Sequence, residues 1–464
     1  MQNLFVEVAS LDARCYSVYG LSEDILMEHA ADGMADYIRK NHALHSSVLI
    51  VCGAGNNGAD GIVLARLLHR DYDVHVLLPY GAKSQMALLQ LRRLEAIEAR
   101  FTTDTDRAYD VVVDALFGSG FNREFDVKMQ KLLNRMNDFS AVKIACDIPT
   151  GVHLDGTVEA GSFVADTTLS MGALKQGMFS DEAKGYVGDI EVIDLGVSRQ
   201  LYERTSNWKL LEDKDLSLPH RHAQNTHKGS YGHLGVICGE KSGAAVMSGL
   251  SALRFGAGLV TLLSNTQEQI PHALMQSHLL PETTTAIALG MGLGTEFSNE
   301  ELLSLLDNAY PLLLDADIFA HGLFLTLLDR KNIVITPHPK EFTTILKVCG
   351  LAEISVSALQ KNRFMYVEQF SQAYPDVTLL LKGANVIIAH DNSYYVNPLG
   401  SNILAKGGSG DVLAGLIASL LAQGSSALEA AIQGSLAHTK AASSLTLNSY
   451  AMTPDDLISA VAHL

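Results

Sequence analysis

Cysteine is scarce in this chain of 464 residues: Cys15, Cys52, Cys146, Cys238 and Cys349 make five, with no CxxC pair. An odd, scattered set argues against a disulfide framework or a zinc knuckle and suits a reducing cytoplasm. Basic residues are also few. Lys and Arg total 34 against 51 Asp and Glu, a formal net charge of −17, which argues against a nucleic-acid partner. Phosphate ligands stay open, because backbone amides bind anions locally even in acidic proteins. Long apolar runs are missing. The longest, such as Val412–Ala422, reach about half a bilayer span, so no membrane partner is expected. Met1–Cys15 shows no basic segment followed by an apolar one, so no signal peptide is expected and the cytoplasm is the expected location. No GxxxxGK[ST] occurs, which excludes a P-loop enzyme.

What is present reads as globular. Hydrophobic residues make up 47 % and charged residues 18 %, far from a disordered composition. The length predicts two to four domains at about 150 residues each. Ser22 is placed to cap a helix running to about Lys40. Apolar runs follow at Val48–Cys52, Val74–Leu78, Val111–Asp114, Val142–Asp147, Thr167–Met171 and Ile190–Ile193, the first few separated by helical stretches such as Asp60–Arg70 and Met86–Ala99. That alternation predicts a mainly parallel sheet with helices on both faces. It breaks in the region holding Trp208, the acidic Leu211–Asp215 stretch and Pro219, then resumes from Leu234 and ends in helices over Asp411–Ala422, Ala427–Leu445 and Pro454–His463. The expected division is a first α/β domain over 1–205, a linker over 206–226 and a second α/β domain over 227–464.

Three polar loops at strand ends mark the first domain. Gly53-Ala54-Gly55-Asn56-Asn57-Gly58-Ala59-Asp60 follows a strand and opens a helix, where free N–H groups suit a phosphate. Alone it is a weak GxGxxG, equally a tight turn. Asp114 through Gly120 and Asp147 through Gly151 end two further strands. Ligands bind outside such ends in open parallel sheets, and three converging loops are more specific than one. Asp114 alone could equally cap a turn, and Lys175 could equally be a solvated strand-end lysine.

The second domain carries Gly407-Gly408-Ser409-Gly410-Asp411 before an apolar helix. Glycines there present N–H groups at a positive helix end, where phosphoryl charge develops. Asp411 could be a helix cap and no more, but a plain cap needs no such glycine density. As a general base it would take a proton from a hydroxyl attacking a nucleotide phosphoryl group. His220, His222, His227 and His233 follow no zinc spacing.

GAGNNGAD, DALFGSG and DIPTGV together resemble the N-terminal domain of the bifunctional NAD(P)H-hydrate repair enzymes, and GGSGD before a helix resembles the ribokinase superfamily. Gly290–Gly294, Asp315–Asp317, Thr336–Glu341, Lys382–Val386 and His227–Gly235 narrow the second resemblance to the dehydratases of the same repair family, in the bifunctional order over nearly the whole chain. The resemblance implies an α/β fold: a Rossmann-like three-layer first domain and a ribokinase-like second. It implies an epimerase acting on the R and S hydrates (NADHX and NADPHX) with a potassium ion. Its substrate contacts would be Asn56, Asn57, Gly58, Ala59 and Asp60, then Gly118, Ser119, Gly120, Phe121, Asn122, Arg123 and Glu124, and Asp147. Asn57, Asp114 and Thr150 would hold K+. Asp147 is the chosen acid/base group. The second domain would dehydrate the S form with ADP, favoured over ATP, and Mg2+, giving AMP and phosphate. Gly294, His338 and the catalytic Asp411 would line the hydrated-nucleotide site. Lys382, Gly383, Ala384, Asn385 and Val386 with Gly407, Gly408, Ser409 and Gly410 would line the adenine-nucleotide site. A homo-oligomer is expected.

The chain departs from the family pattern at Ala59, commonly Gly, at Thr150, commonly Ser, and at Lys406, commonly Thr. Ala59 would matter only at positive φ. Lys175, in Gly172-Ala-Leu-Lys175, matches the lysine of a GAPK-like stretch in the family, beside its reading as a solvated strand-end lysine. Lys406 adds a charge beside the phosphate turn, where it could affect nucleotide preference. His338 could equally hydrogen-bond its own loop, and Asp315 and Asp317 carry a turn role by default. Two rivals are a small-molecule kinase with a fused nucleotide-binding domain and a nucleotide sensor without turnover. NNGAD, DIPTG and TPHPKEF argue against the first and GGSGD against the second.

Overall fold

The computed structural model describes every residue except 104–105, 122–123, 267–268 and 307–308. The chain forms two compact units, residues 3–206 and residues 207–464 with 1–2.

In the first unit, helices α1 (Ala9–Ser17) and α2 (Glu23–Asn41) precede the sheet. Ser22 caps α2, its Oγ accepting from the Ile25 N–H at 3.3 Å. Glu23 and Asp24 in the first turn and Arg39 and Lys40 in the last complement the helix dipole. Strands β1 (Ser47–Cys52), β2 (Asp73–Leu77), β3 (Val111–Ala115), β4 (Val142–Cys146), β5 (Thr167–Met171) and β6 (Asp189–Ile193) form a six-stranded parallel sheet in the order β2-β1-β3-β4-β5-β6. Helices α3 (Asn56–Leu68), α4 (Gln85–Glu95) and α5 (Val127–Asn137) follow β1, β2 and β3. Alternate strand residues serve opposite faces. Val48, Ile50 and Cys52 pack with α2 and α3, while Leu49 and Val51 pack with Met129, Leu133 and Met136 of α5. Cover on both faces explains why the strands read as unbroken apolar runs. Because β2 and β3 flank β1, the chain leaves β1 and β3 in opposite directions. The crevice that opens between their C-terminal loops is where such sheets bind ligands. A four-residue helix, α6 (Arg199–Tyr202), closes the unit.

The second unit has strands β7 (Trp208–Leu210), β8 (His233–Ile237), β9 (Leu259–Leu263), β10 (Met275–Ser277), β11 (Ala286–Leu289), β12 (Leu312–Leu314), β13 (Ile333–Ile335), β14 (Val377–Leu381), β15 (Val386–His390) and β16 (Ser393–Asn397). Their order is β10-β9-β8-β11-β12-β13-β14-β15-β16-β7. Pairing is parallel from β10 to β14, antiparallel through β15 and β16, and parallel again onto β7. The helices that matter for the site are α7 (Ser242–Arg254), α8 (Pro339–Val348), α9 (Ser409–Ala422), α10 (Ala427–Ser444) and α11 (Pro454–Ala460). The apolar run Val412–Ala422 is the buried core helix α9. At Gly415 a Cβ would stand 2.2 Å from the Ser248 carbonyl, so only glycine lets α9 lie this close to α7. The Ser248 and Ser251 hydroxyls complete that contact, donating to the Asp411 and Val412 carbonyls at 2.9 and 2.8 Å. Among the described residues, no helix is long and apolar enough to cross a membrane.

The α/β class and the layered arrangement of each unit are as expected, but the boundary differs. The division falls between residues 206 and 207. Part of the expected linker, Trp208–Leu210, pairs with Tyr394–Val396 in the second sheet. Trp208 stacks on Tyr394 with centroids 4.6 Å apart and donates its indole N–H to Glu368 at 2.8 Å. This burial of the only tryptophan is what ties the segment to the second unit.

Candidate active sites

The crevice of the first sheet is a cavity of about 500 Å³. The loop after β1 and the first turns of α3 place Asn56, Asn57 and Asp60 in its wall, the loop after β3 places Gly118–Phe121, and the end of β4 places Asp147. The close approach of the first two loops depends on glycine. At Gly53 a Cβ would meet the Leu116 carbonyl at 1.8 Å. Asp147 stands at φ +73°, the left-handed region that glycine favours, a strained backbone held by its surroundings. Its Oδ1 takes the ammonium of Lys175 at 2.6 Å and the Met171 N–H at 3.2 Å. Its Oδ2 accepts from the Ser119 N–H at 3.3 Å and lies against Gly118, beside the Asn57 amide. Lys175 is fully buried, so the solvated reading of that lysine is set aside.

Asp60 is enclosed among acids. Burial, then the carboxylates of Asp147, Asp12 and Glu23, push its carboxyl well above the usual range. Asp114 and Thr150 sit beneath the wall, both buried. The Asp114 carboxylate accepts from the Thr150 hydroxyl and N–H, each at 2.8 Å, and from the Leu116 N–H at 3.1 Å. Burial outweighs these bonds and raises Asp114 to about 6. Ala59 has helical backbone inside α3, so its departure from glycine carries no strain. Asn122 and Arg123 lie outside the described residues, and Glu124 is exposed.

In the second unit the glycine turn bends at Gly408, φ +88°, where a Cβ would meet Pro454 Cγ at 2.5 Å. Gly408 is the N-cap of α9, so Asp411 is not the cap but the third residue of the helix. Its carboxyl is half-buried and pushed up to about 6, by burial first and Asp315 second, against the pull of Lys382. Lys382, at the end of β14, holds both Asp315 oxygens at 2.8 and 3.0 Å, and its Nζ is 3.3 Å from where a Gly410 Cβ would stand. Asp315 therefore does more than end a strand. Asp317 receives the N–H of Gly294 at 3.1 Å. His338 caps α8, its Nδ1 accepting from the Lys340 and Glu341 N–H groups at 3.1 and 3.2 Å, while Glu341 reaches back to the His338 N–H at 2.8 Å. The loop-bonding reading of His338 is thus realised, and its Nε2 faces Glu341 at 3.2 Å. Lys406 donates to the Tyr450 carbonyl at 3.0 Å rather than lying free beside the glycine turn.

Sequence reasoning missed several residues. Asp12 of α1, Tyr16, Glu23 and Tyr202 of α6 line the first cavity. The Tyr202 hydroxyl donates to Asp12 at 2.8 Å. No motif marks these positions, and only the fold brings both ends of the unit to the crevice. In the second unit Glu341 is raised by burial and by Asp315, and buried His438, lowered by burial to about 4, hydrogen-bonds the Ser409 carbonyl at 3.0 Å. His438 lies in an apolar helix stretch whose only signal was the histidine itself.

Residues 23–177 match the family described as YjeF-related protein N-terminus, and residues 234–463 match NAD(P)H-hydrate dehydratase. A bifunctional NAD(P)H-hydrate repair enzyme of Helicobacter pylori is 42 % identical over 476 aligned residues, covering 100 % of both chains. Its counterpart in Coxiella burnetii is 32 % identical, covering 91 % of this chain and 90 % of its own. Among solved structures, an ADP/ATP-dependent NAD(P)H-hydrate dehydratase of Bacillus subtilis co-crystallised with ATP and Mg2+ is 26 % identical with a TM-score of 0.47, over 56 % of this chain and 98 % of that one. With similarity running end to end through both units, the chain belongs to the family of bifunctional NAD(P)H-hydrate repair enzymes.

Proposed function

We propose that the first unit interconverts the R and S hydrates of NADH and NADPH, and that the second dehydrates the S form using ADP in preference to ATP. In the first reaction the Asp147 carboxylate takes the proton of the C6 hydroxyl. The C6–N1 bond breaks, its electron pair stays on N1, and N1 takes a proton from Asp60, whose raised carboxyl is suited to give one. N1 then re-adds to the opposite face of the aldehyde with both protons returned, so no atom is gained or lost.

Asn57, Asp114 and Thr150 would hold the potassium ion. All offer oxygen to a hard cation. The ion would supply a counter-charge to Asp114, a carboxyl that burial drives toward its neutral form.

In the second reaction Asp411 takes the C6 hydroxyl proton as that oxygen attacks the terminal phosphoryl group, and the bond to the departing nucleotide breaks. With ADP this releases AMP. Phosphate then leaves C6, C5 loses a proton, and the ring double bond of the reduced cofactor is restored. The amides at the start of α9 and the Lys382 ammonium face the developing charge. Mg2+ would come with the nucleotide and would offset the negative charge of its phosphates, while Lys382 holds both Asp315 oxygens.

The observation that carries this reading is Asp411 in the first turn of α9, behind the left-handed Gly408 and beside the Lys382–Asp315 pair. The test mixes R and S hydrates with K+, Mg2+ and ADP or ATP and follows the reduced-nicotinamide absorbance. Recovery beyond the S fraction, faster than in an Asp114→Ala variant, supports both activities and identifies the donor. Recovery limited to the S fraction removes the epimerase, and no recovery with either nucleotide defeats the whole reading.

A further inference from the structure

We propose that Lys175 is a positioning residue of the epimerase: from behind the cavity wall its ammonium fixes one oxygen of Asp147 so that the other faces the substrate. This rests on Asp147 being the group that moves the proton. Lys175 belongs to a two-residue strand, Leu174–Lys175, paired with Leu4 and Phe5. Its Nζ meets Asp147 Oδ1 at 2.6 Å, the Ser170 hydroxyl at 2.9 Å and the Met171 and Ala173 carbonyls at 3.2 and 3.3 Å. Three of these acceptors lie at the end of β5 and in the turn that leads from it into Lys175, and would satisfy an ammonium locally. Two of the four acceptor residues line the cavity, Met171 offering a backbone carbonyl and Asp147 alone a side chain.

The two carboxylate oxygens of Asp147 are therefore unequal. Oδ1 is anchored from behind, and Oδ2 lies with Gly118 and Ser119, which line the cavity. The anchor has strain to hold, because the residue sits at φ +73°. It also has repulsion to offset. Asp60 from α3, Asp12 from α1 with its Tyr202 partner from α6, and the neighbouring Cys146 all feel the Asp147 charge, and Lys175 is the cation on the other side. A neutral side chain in its place would leave the carboxylate among acids with no buried counter-charge.

The test measures epimer interconversion by the full-length chain, with the R and S hydrates resolved chromatographically. Lys175→Gln should lower kcat by about thirtyfold or more while KM stays within about threefold, the split left by an interaction that acts on the reacting group. Lys175→Arg should recover part of the loss, and millimolar methylammonium should raise the kcat of Lys175→Ala. A kcat within twofold of wild type, or a raised KM at unchanged kcat, overturns the proposal. Should Lys175→Gln lose its cooperative melting transition, Ser170→Ala decides, since it removes one acceptor and keeps the charge. A fall of a few-fold in kcat at constant KM supports the proposal, and no change overturns it. A wild-type chain without epimerase activity, or a fully active Asp147→Asn, defeats the underlying reading instead.

Discussion

In its proposed role of taking a hydroxyl proton Asp411 must be ionised, and burial pushes its carboxyl up to about 6. Dehydration should therefore climb with pH and level off above about 6. Asp315→Asn removes the nearest repelling charge and frees Lys382, so the acid limb of kcat/KM should move about half a unit or more to lower pH. An unmoved limb would show that another group titrates. His338 allows a separation of roles. His338→Ala strips the cap from α8 and should cost about 1 kcal/mol of stability, whereas His338→Asn keeps a capping oxygen. We expect the Asn variant to regain the melting temperature and still show a raised KM for the S hydrate. A KM that recovers with stability would leave His338 as a cap alone. At this scale the sequence was readable where glycines crowd an acid, as at Asp411. It was not readable at Lys175, where the same residues fit a solvated lysine and a buried one, because the acceptor that decides is supplied by another strand.

Among the elements, the turn into α9 is the most constrained. Gly408→Ala places a Cβ at φ +88° and 2.5 Å from Pro454. It should destabilise the second unit by about 1–3 kcal/mol and depress dehydration with it, leaving epimerisation by the other unit unchanged. Denaturant titration with both assays on one preparation checks this. The fully buried parallel strands were legible because helices cover both faces and allow no polar alternation. The strand Trp208–Leu210 was not, being three residues long in a stretch otherwise polar and acidic, its identity fixed only by pairing with Tyr394–Val396. Helix α8 hid for a related reason. A histidine is an unusual N-cap, so His338-Pro339 read as a site loop rather than as a helix start.

For the whole molecule, the boundary between residues 206 and 207 has a direct consequence. A fragment of residues 207–464 should melt several degrees above one starting at His227, because the shorter piece loses Trp208 from its seat on Tyr394. Equal melting points would restore 206–226 as a passive linker. Potassium should raise the melting temperature of the full chain relative to sodium at equal ionic strength, and Asp114→Ala should abolish the difference. The Lys382–Asp315 pair also bears on turnover. At the proposed nucleotide site a phosphate that draws the ammonium would compete with a carboxylate already holding it, so binding there would be an exchange of partners rather than a simple gain. The same carboxylate stands ready to reclaim the lysine once the transferred group has gone. Under the proposed turnover, tight capture would thereby be given up for easy release of the spent nucleotide in every cycle.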